Sequence, residues 1–159
     1  MRAFATLRDG NVSKRGTAPV IRVMILVLTL ASLISCTSPP NPQLNAFTTD
    51  GCSNFPNGTR DNETLWLHCC TAHDVAYWQG GTREQRRAAD FALRECVAAT
   101  GETTIANLML AGVWIGGSPY LPTSFRWGYG WPYPRGYEAL DGEAREMVVE
   151  LLEAYRGGR

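Results

Sequence analysis

The stretch Leu67-His68-Cys69-Cys70-Thr71-Ala72-His73-Asp74-Val75-Ala76-Tyr77-Trp78 decides how this chain folds. It packs two thiols, both of the chain's histidines and a carboxylate into about two helical turns. Cys69, His73 and Tyr77 are spaced four apart, so their side chains share one face of a helix. Asp74 follows His73 about 100° around the same helix and addresses the same cleft from a neighbouring azimuth. The segment reads as an active-site helix.

Its surroundings extend the reading. After a break at Gln79-Gly80-Gly81, the run Thr82-Arg83-Glu84-Gln85 has the form of a capping box. A second helix is predicted from about Arg83 to Ala99, with Ala88, Phe91, Ala92, Cys96 and Ala99 on one apolar face. Two helices joined by so short a turn fold back as an antiparallel hairpin. Facing residues in such a hairpin have position numbers of nearly constant sum. Cys69 with Cys96 gives 165 and His73 with Asp90 gives 163, so one register brings both pairs together.

The pattern Cys69-Cys70-x-x-His73-Asp74-x-Ala76-Tyr77, with Asp90 six residues before Cys96, resembles the helix pair of the secreted phospholipases A2. The likeness covers roughly residues 50–98. The family carries a further cysteine at each of the positions held here by Ala76 and Ala89, so a whole bridge is missing rather than half of one. The fold implied is mainly α: a disulfide-stapled helix pair of phospholipase A2 type, a loop-rich aromatic segment and a C-terminal helix.

Five cysteines are present, and Cys36 stands apart from the others. The run Val23–Ile34 is mostly apolar, follows Lys14, Arg15 and Arg22, and is too short to span a bilayer. It ends in Leu33-Ile34-Ser35-Cys36, which resembles a bacterial lipobox whose cysteine is lipidated; ordinary signal cleavage nearby is the alternative. The expected organisation is a lipoprotein signal over 1–36, a Pro-rich tether over 37–48 and the folded domain over 49–159. An exported lipoprotein of the bacterial cell envelope follows, in an oxidising compartment. The remaining four cysteines permit three pairings. The hairpin register assigns Cys69–Cys96 and leaves Cys52–Cys70, the pairing that the family pattern also gives. Closing the longer loop is worth about 3–4 kcal/mol in the chain-entropy account.

Formal charge is zero overall, but the first 36 residues hold five basic groups and one acidic. The rest carries ten basic and fourteen acidic residues and no lysine. That balance argues against nucleic acid as a partner and against electrostatic docking on anionic lipid.

Upstream of the active-site helix, Thr49-Asp50-Gly51-Cys52-Ser53-Asn54-Phe55-Pro56 is a turn-rich loop. The resemblance implies a Ca2+ site here, made of the backbone carbonyls of Gly51, Ser53 and Phe55 with the Asp74 carboxylate. The loop lacks most of the family's repeated glycines, and a plain stapled surface turn is the alternative. Downstream, Ile105–Ile115 is expected to be a short apolar core helix. Phe125, Trp127, Tyr129, Trp131 and Tyr133 alternate strictly, so an extended strand would place all five rings on one face. They could form a lip seated on lipid or a packed loop over the hairpin. Asp141 is expected to cap a last helix reaching about Tyr155, with Met147, Val148, Leu151 and Tyr155 inward.

What the resemblance implies for function is calcium-dependent hydrolysis of a glycerophospholipid acyl ester, at a phospholipid or membrane surface. His73 would act as base on a water, Asp90 would orient it, Tyr77 would hold Asp90, and Asp74 would bind the metal. Two alternatives stand beside it. One is a catalytically inactive lipid-binding or structural envelope lipoprotein of the same fold. The other, a zinc site from His68, Cys69, Cys70 and His73, fails on geometry, because four ligands within six residues of one helix point around most of its circumference.

Overall fold

The computed structural model describes residues 43–158; Cys36 and the apolar run before it lie outside them. Four helices are present, and no strand among the described residues: α1 (Leu67–Gln79), α2 (Arg83–Ala99), α3 (Thr103–Gly116) and α4 (Gly142–Gly157). α1 stops because Gly80 and Gly81 take positive φ angles of 70° and 139°. Such backbone suits glycine, and a Cβ at Gly80 would also press on the Gly128 backbone at 3.0 Å. α2 then starts on the expected capping box. Thr82 Oγ1 accepts from Gln85 N at 3.2 Å, and Gln85 Oε1 accepts from Thr82 N at 2.8 Å.

Both expected disulfides form. Cys69–Cys96 staples α1 to α2, and Cys52–Cys70 ties the upstream loop to α1. Cross-links near one end of the pair and polar contacts near the other make α1 and α2 antiparallel.

The buried face of α2 differs from the alanine-rich face expected. Arg86, Asp90, Leu93 and Val97 are buried, at helical spacing, while Ala88, Phe91, Ala92 and Ala99 are exposed. Alanine gains little from burial, so the larger Leu93 and Val97, with the polar contacts to α1, choose the face. Leu93 and Val97 join Trp66, Cys69, Ala106 and Met109 in one core cluster, which docks α3 on α2.

A second cluster of Leu44, Phe47, Trp78, Trp131, Ala144 and Val148 seats α4 behind α1. Packed structure therefore begins at about residue 44, earlier than the boundary expected at 49. Phe47 stands edge-on to both Trp78 and Tyr155, so the end of the expected tether is part of the core. α4 keeps its expected cap, Asp141 Oδ1 accepting from Ala144 N at 2.8 Å. Met147, Val148, Leu151 and Tyr155 pack inward as the periodicity predicts.

Two expectations downstream of the hairpin hold only in part. α3 forms, but Ala106 and Met109 are its only buried residues; Leu108, Trp114 and Ile115 are 57%, 51% and 80% exposed. No helix among the described residues is long and apolar enough to cross a membrane. The five alternating aromatics do not share a face, because left-handed Gly128 breaks the extended period. Trp127 and Trp131 are buried, and their indole N–H groups donate to the carbonyls of Gly81 and Gln79. They clamp the turn after α1. Phe125 and Tyr133 are exposed, and Tyr129 reaches back to donate to Thr48 O at 2.7 Å.

Candidate functional site

The hairpin register delivers His73 from α1 to Asp90 from α2, with Nε2 to Oδ1 at 3.1 Å. Both side chains are nearly sealed from solvent, at 8% and 1% exposure. Tyr77, one turn beyond His73, donates its hydroxyl to the same Oδ1 at 2.7 Å. Its ring lies under the imidazole with centroids 4.1 Å apart. Burial first, then the charge of Asp90, push the Tyr77 hydroxyl above the ordinary tyrosine range. It therefore stays protonated and serves as a fixed donor. A Cβ at Gly117 would overlap that hydroxyl, so glycine there lets the end of α3 close over Tyr77.

Arg86, which the sequence reading passed over, completes the array. Its Nε donates to Tyr77 OH at 3.1 Å and stands 3.8 Å from Asp90 Oδ2. Nη1 donates to Tyr137 OH at 2.7 Å, and Nη2 to the carbonyls of Val113 and Trp114 at 2.8 and 3.2 Å. A buried carboxylate without partners is costly; Asp90 has three. The available signal was the i, i+4 spacing of Arg86 and Asp90 on one predicted helix.

His73 and Asp74 line a cavity of about 590 Å3. One wall is a stripe of α3 at helical period: Leu108, Ala111, Gly112, Ile115 and Gly116. The facing side includes Gly51, Ser53, Phe55, Phe125 and Tyr129. The helix expected as plain core gives Ala106 and Met109 to the core and its stripe from Leu108 to Gly116 to the apolar wall of the cavity.

Asp74 sits at the polar end of this cavity. Its Oδ2 accepts from Thr49 Oγ1 at 2.6 Å. Burial pushes its carboxyl up to about 6, with Asp50 adding to the effect and Thr49 and His73 working against it. No arginine bridges Asp74 among the described residues. Gly51, Ser53 and Phe55 line the same cavity, and none of their carbonyl oxygens accepts a hydrogen bond among the described residues. Ser53 is the one described non-glycine with positive φ, at 55°, and its Oγ donates to Asp50 Oδ1 at 2.9 Å. A half-buried carboxylate short of positive charge, beside uncommitted carbonyls, forms an oxygen-only donor set that fits a hard cation such as Ca2+.

His68 lies on another face of α1, exposed, with Nε2 3.4 Å from Cys69 Sγ and 3.5 Å from Cys96 Sγ. These three groups cluster within 4.8 Å, but the two sulfurs are bonded to each other and offer no thiolate. Cys70 is likewise bonded, to Cys52, so neither thiol of the zinc alternative remains. Compared with family models, curated proteins and solved structures, the chain finds no match in any of the three.

Proposed function

We propose that this chain is a phospholipase A2-like hydrolase that cleaves an acyl ester of a glycerophospholipid in a calcium-dependent reaction. The observation that carries this reading is the hydrogen-bonded series Tyr77–Asp90–His73, set beside Asp74 at the mouth of an apolar cavity. A water nucleophile needs a base, an orienting carboxylate and room for a long acyl chain, and the three occur together here.

The chemistry follows from the atoms. Nε2 of His73 is engaged by Asp90, which favours the tautomer with its proton on Nε2 and a free lone pair on Nδ1. Nδ1 takes a proton from a water, the water oxygen adds to the ester carbonyl, and the imidazolium returns that proton to the leaving alkoxide. Fatty acid and lysophospholipid result. Asp90 orients the ring and offsets the imidazolium charge, while Tyr77 holds Asp90. Asp74, with the carbonyls of Gly51, Ser53 and Phe55, would hold the Ca2+, whose charge would stabilise the substrate phosphate and the developing oxyanion. Leu108, Ala111 and Ile115 exclude water from the acyl chain.

The inactive lipid-binding reading is favoured by one contact. The Thr49 hydroxyl already occupies Asp74 Oδ2 at 2.6 Å, which leaves fewer oxygen lone pairs for a metal. Fatty-acid release from mixed micelles, measured with and without added Ca2+, separates the two. Calcium-stimulated release that His73→Gln abolishes supports the hydrolase; lipid binding without release supports the inactive form.

A further inference from the structure

A second cleft, of about 500 Å3, runs along the first turns of α2 and is walled by Arg83, Arg86, Arg87, Trp114, Tyr120 and Tyr137. His73 and Asp74 do not line it. Three of the ten arginines that follow residue 36 meet here, in a part of the chain with excess negative charge. Such a concentration of one sign against the prevailing charge needs a reason.

The three arginines differ in their commitments. Arg86 is buried, with four of its donor contacts taken by Tyr77, Tyr137, Val113 and Trp114. Arg83 and Arg87 are exposed, one turn apart on α2, and neither forms a salt bridge among the described residues. The Arg83 guanidinium lies 5.1 Å from the centre of the Tyr137 ring, stacked against the aromatic wall. Glu84, exposed between them on the helix, has its carboxyl held below the ordinary range first by its own backbone and Thr82, and to a lesser degree by the charges of Arg83 and Arg87. Asp90 is the acidic group in the cleft wall, and Arg86, His73 and Tyr77 surround it.

The cleft therefore holds two guanidinium groups that form no salt bridge among the described residues, against low-dielectric aromatic walls that focus their field. α2 begins at Arg83, so the positive end of its dipole lies here as well. The Tyr137 hydroxyl accepts from Arg86, which leaves its own proton free to donate. Planar guanidinium forks match the oxygens of phosphate in a two-point contact.

We propose that this cleft is an anion site that takes a phosphate group, held by Arg83 and Arg87 with the Tyr137 hydroxyl as a further donor. A phosphodiester of a lipid headgroup and a soluble phosphate ester share this chemistry. Trp114 and Tyr120 form an exposed rim, and Ile115, next to Trp114, lines the first cavity, so the end of α3 divides the two sites. The proposal concerns binding, and it stands apart from whether His73 turns over an ester.

The test uses the full chain with two probes: glycerol 3-phosphate in calorimetry, and sedimentation with phosphatidylcholine vesicles with or without phosphatidylglycerol. Binding is expected to be saturable and weakened by salt. It should fall about tenfold or more in the Arg83→Gln/Arg87→Gln variant, which touches exposed side chains and should melt like the parent. Variant-sensitive binding of the soluble ester assigns a free phosphate source; variant-sensitive binding of anionic vesicles alone assigns the lipid headgroup. Arg94→Gln, which removes a charge from the same helix outside the cleft, should leave binding intact. No saturable binding to either probe, an unaffected double variant, or an equal loss in Arg94→Gln would overturn the proposal.

Discussion

Arg86 Nε stands 3.8 Å from Asp90 Oδ2 and donates to the Tyr77 hydroxyl at 3.1 Å, so one guanidinium braces both groups behind His73. Its far side ends on the last carbonyls of α3, at Val113 and Trp114. The helix that walls the cavity and the carboxylate that orients the histidine are thus tied through a single side chain.

Removing that tie should have two separable effects. Arg86→Gln leaves α3 carbonyls and Asp90 short of a donor, at a cost of about 2–4 kcal/mol in stability. On the proposed mechanism it should also lower kcat by roughly tenfold with a smaller change in KM, because Asp90 would orient the base without touching the lipid. Arg86→Lys restores the charge and one or two contacts and should recover part of kcat. Micelle kinetics and thermal melts of the two variants check this; equal losses in kcat and KM, or no recovery by lysine, would refute a positioning role.

Much of the hairpin was legible because its signals are local. The capping box, the two glycines and the spacing of Cys69, His73 and Tyr77 fix helix ends and one face, and from these the register to Asp90 and Cys96 follows. Arg86 escaped because an arginine on a charged helix reads as solvated surface, and its burial depends on α3 and Tyr137, both distant in sequence. The α3 wall escaped for a similar reason. An apolar run of that length looks like core, and only the tertiary arrangement leaves Leu108 and Ile115 facing an open cavity. Of the two readings of the aromatic segment the packed loop is realised, because alternation gives a shared face only in extended backbone, and Gly128 turns the chain so that Trp127 and Trp131 pack on the turn after α1.

The raised carboxyl of Asp74 makes a signed pH prediction for the metal-free protein. Its pKa goes from 3.8 to about 6 chiefly through burial, so the folded state resists ionisation more than the unfolded chain does. Below about pH 4 both states are protonated and the group costs nothing; the penalty grows up to about pH 6 and is then constant. Asp74→Asn removes it. In a chelator, the variant should gain melting temperature over wild type between pH 4 and 6 and hold that gain to pH 8. If Asp74 holds Ca2+ as proposed, millimolar Ca2+ should reverse the order above pH 6, because only wild type would then bind the ion. A melting difference that ignores both pH and Ca2+ would sink the assignment.

Gly112 offers a test of the cavity wall that spares the fold. It lines the cavity, and a Cβ built on it meets nothing within 4 Å. Replacing a mid-helix glycine should itself stabilise α3 by about 0.5–1 kcal/mol. Gly112→Leu should therefore melt no lower than wild type while filling the groove. Release of long acyl chains should fall about tenfold relative to short ones, in a competition assay on mixed phosphatidylcholines. An unchanged chain-length profile would mean that the acyl chain does not run along α3.

The sharpest test of the mechanism compares the two histidines, which share α1 but not a face. His73 Nε2 meets buried Asp90, while exposed His68 rests on the Cys69–Cys96 disulfide and lines no part of the cavity. If His73 is the base, His73→Gln should reduce ester hydrolysis by about a thousandfold or more, the upper part of the range for a lost general base. His68→Gln should retain most activity and differ mainly in the environment of the disulfide. Asp90→Asn should fall between them, since it weakens the orientation of an imidazole that is still present, and it should also lower stability by leaving Arg86 facing a neutral amide. Disulfide mapping and melting curves on each variant separate loss of base from loss of fold. Full activity in His73→Gln, or matching losses in the two histidine variants, would mean that water is activated elsewhere and that the His73–Asp90 pair is a buried structural contact.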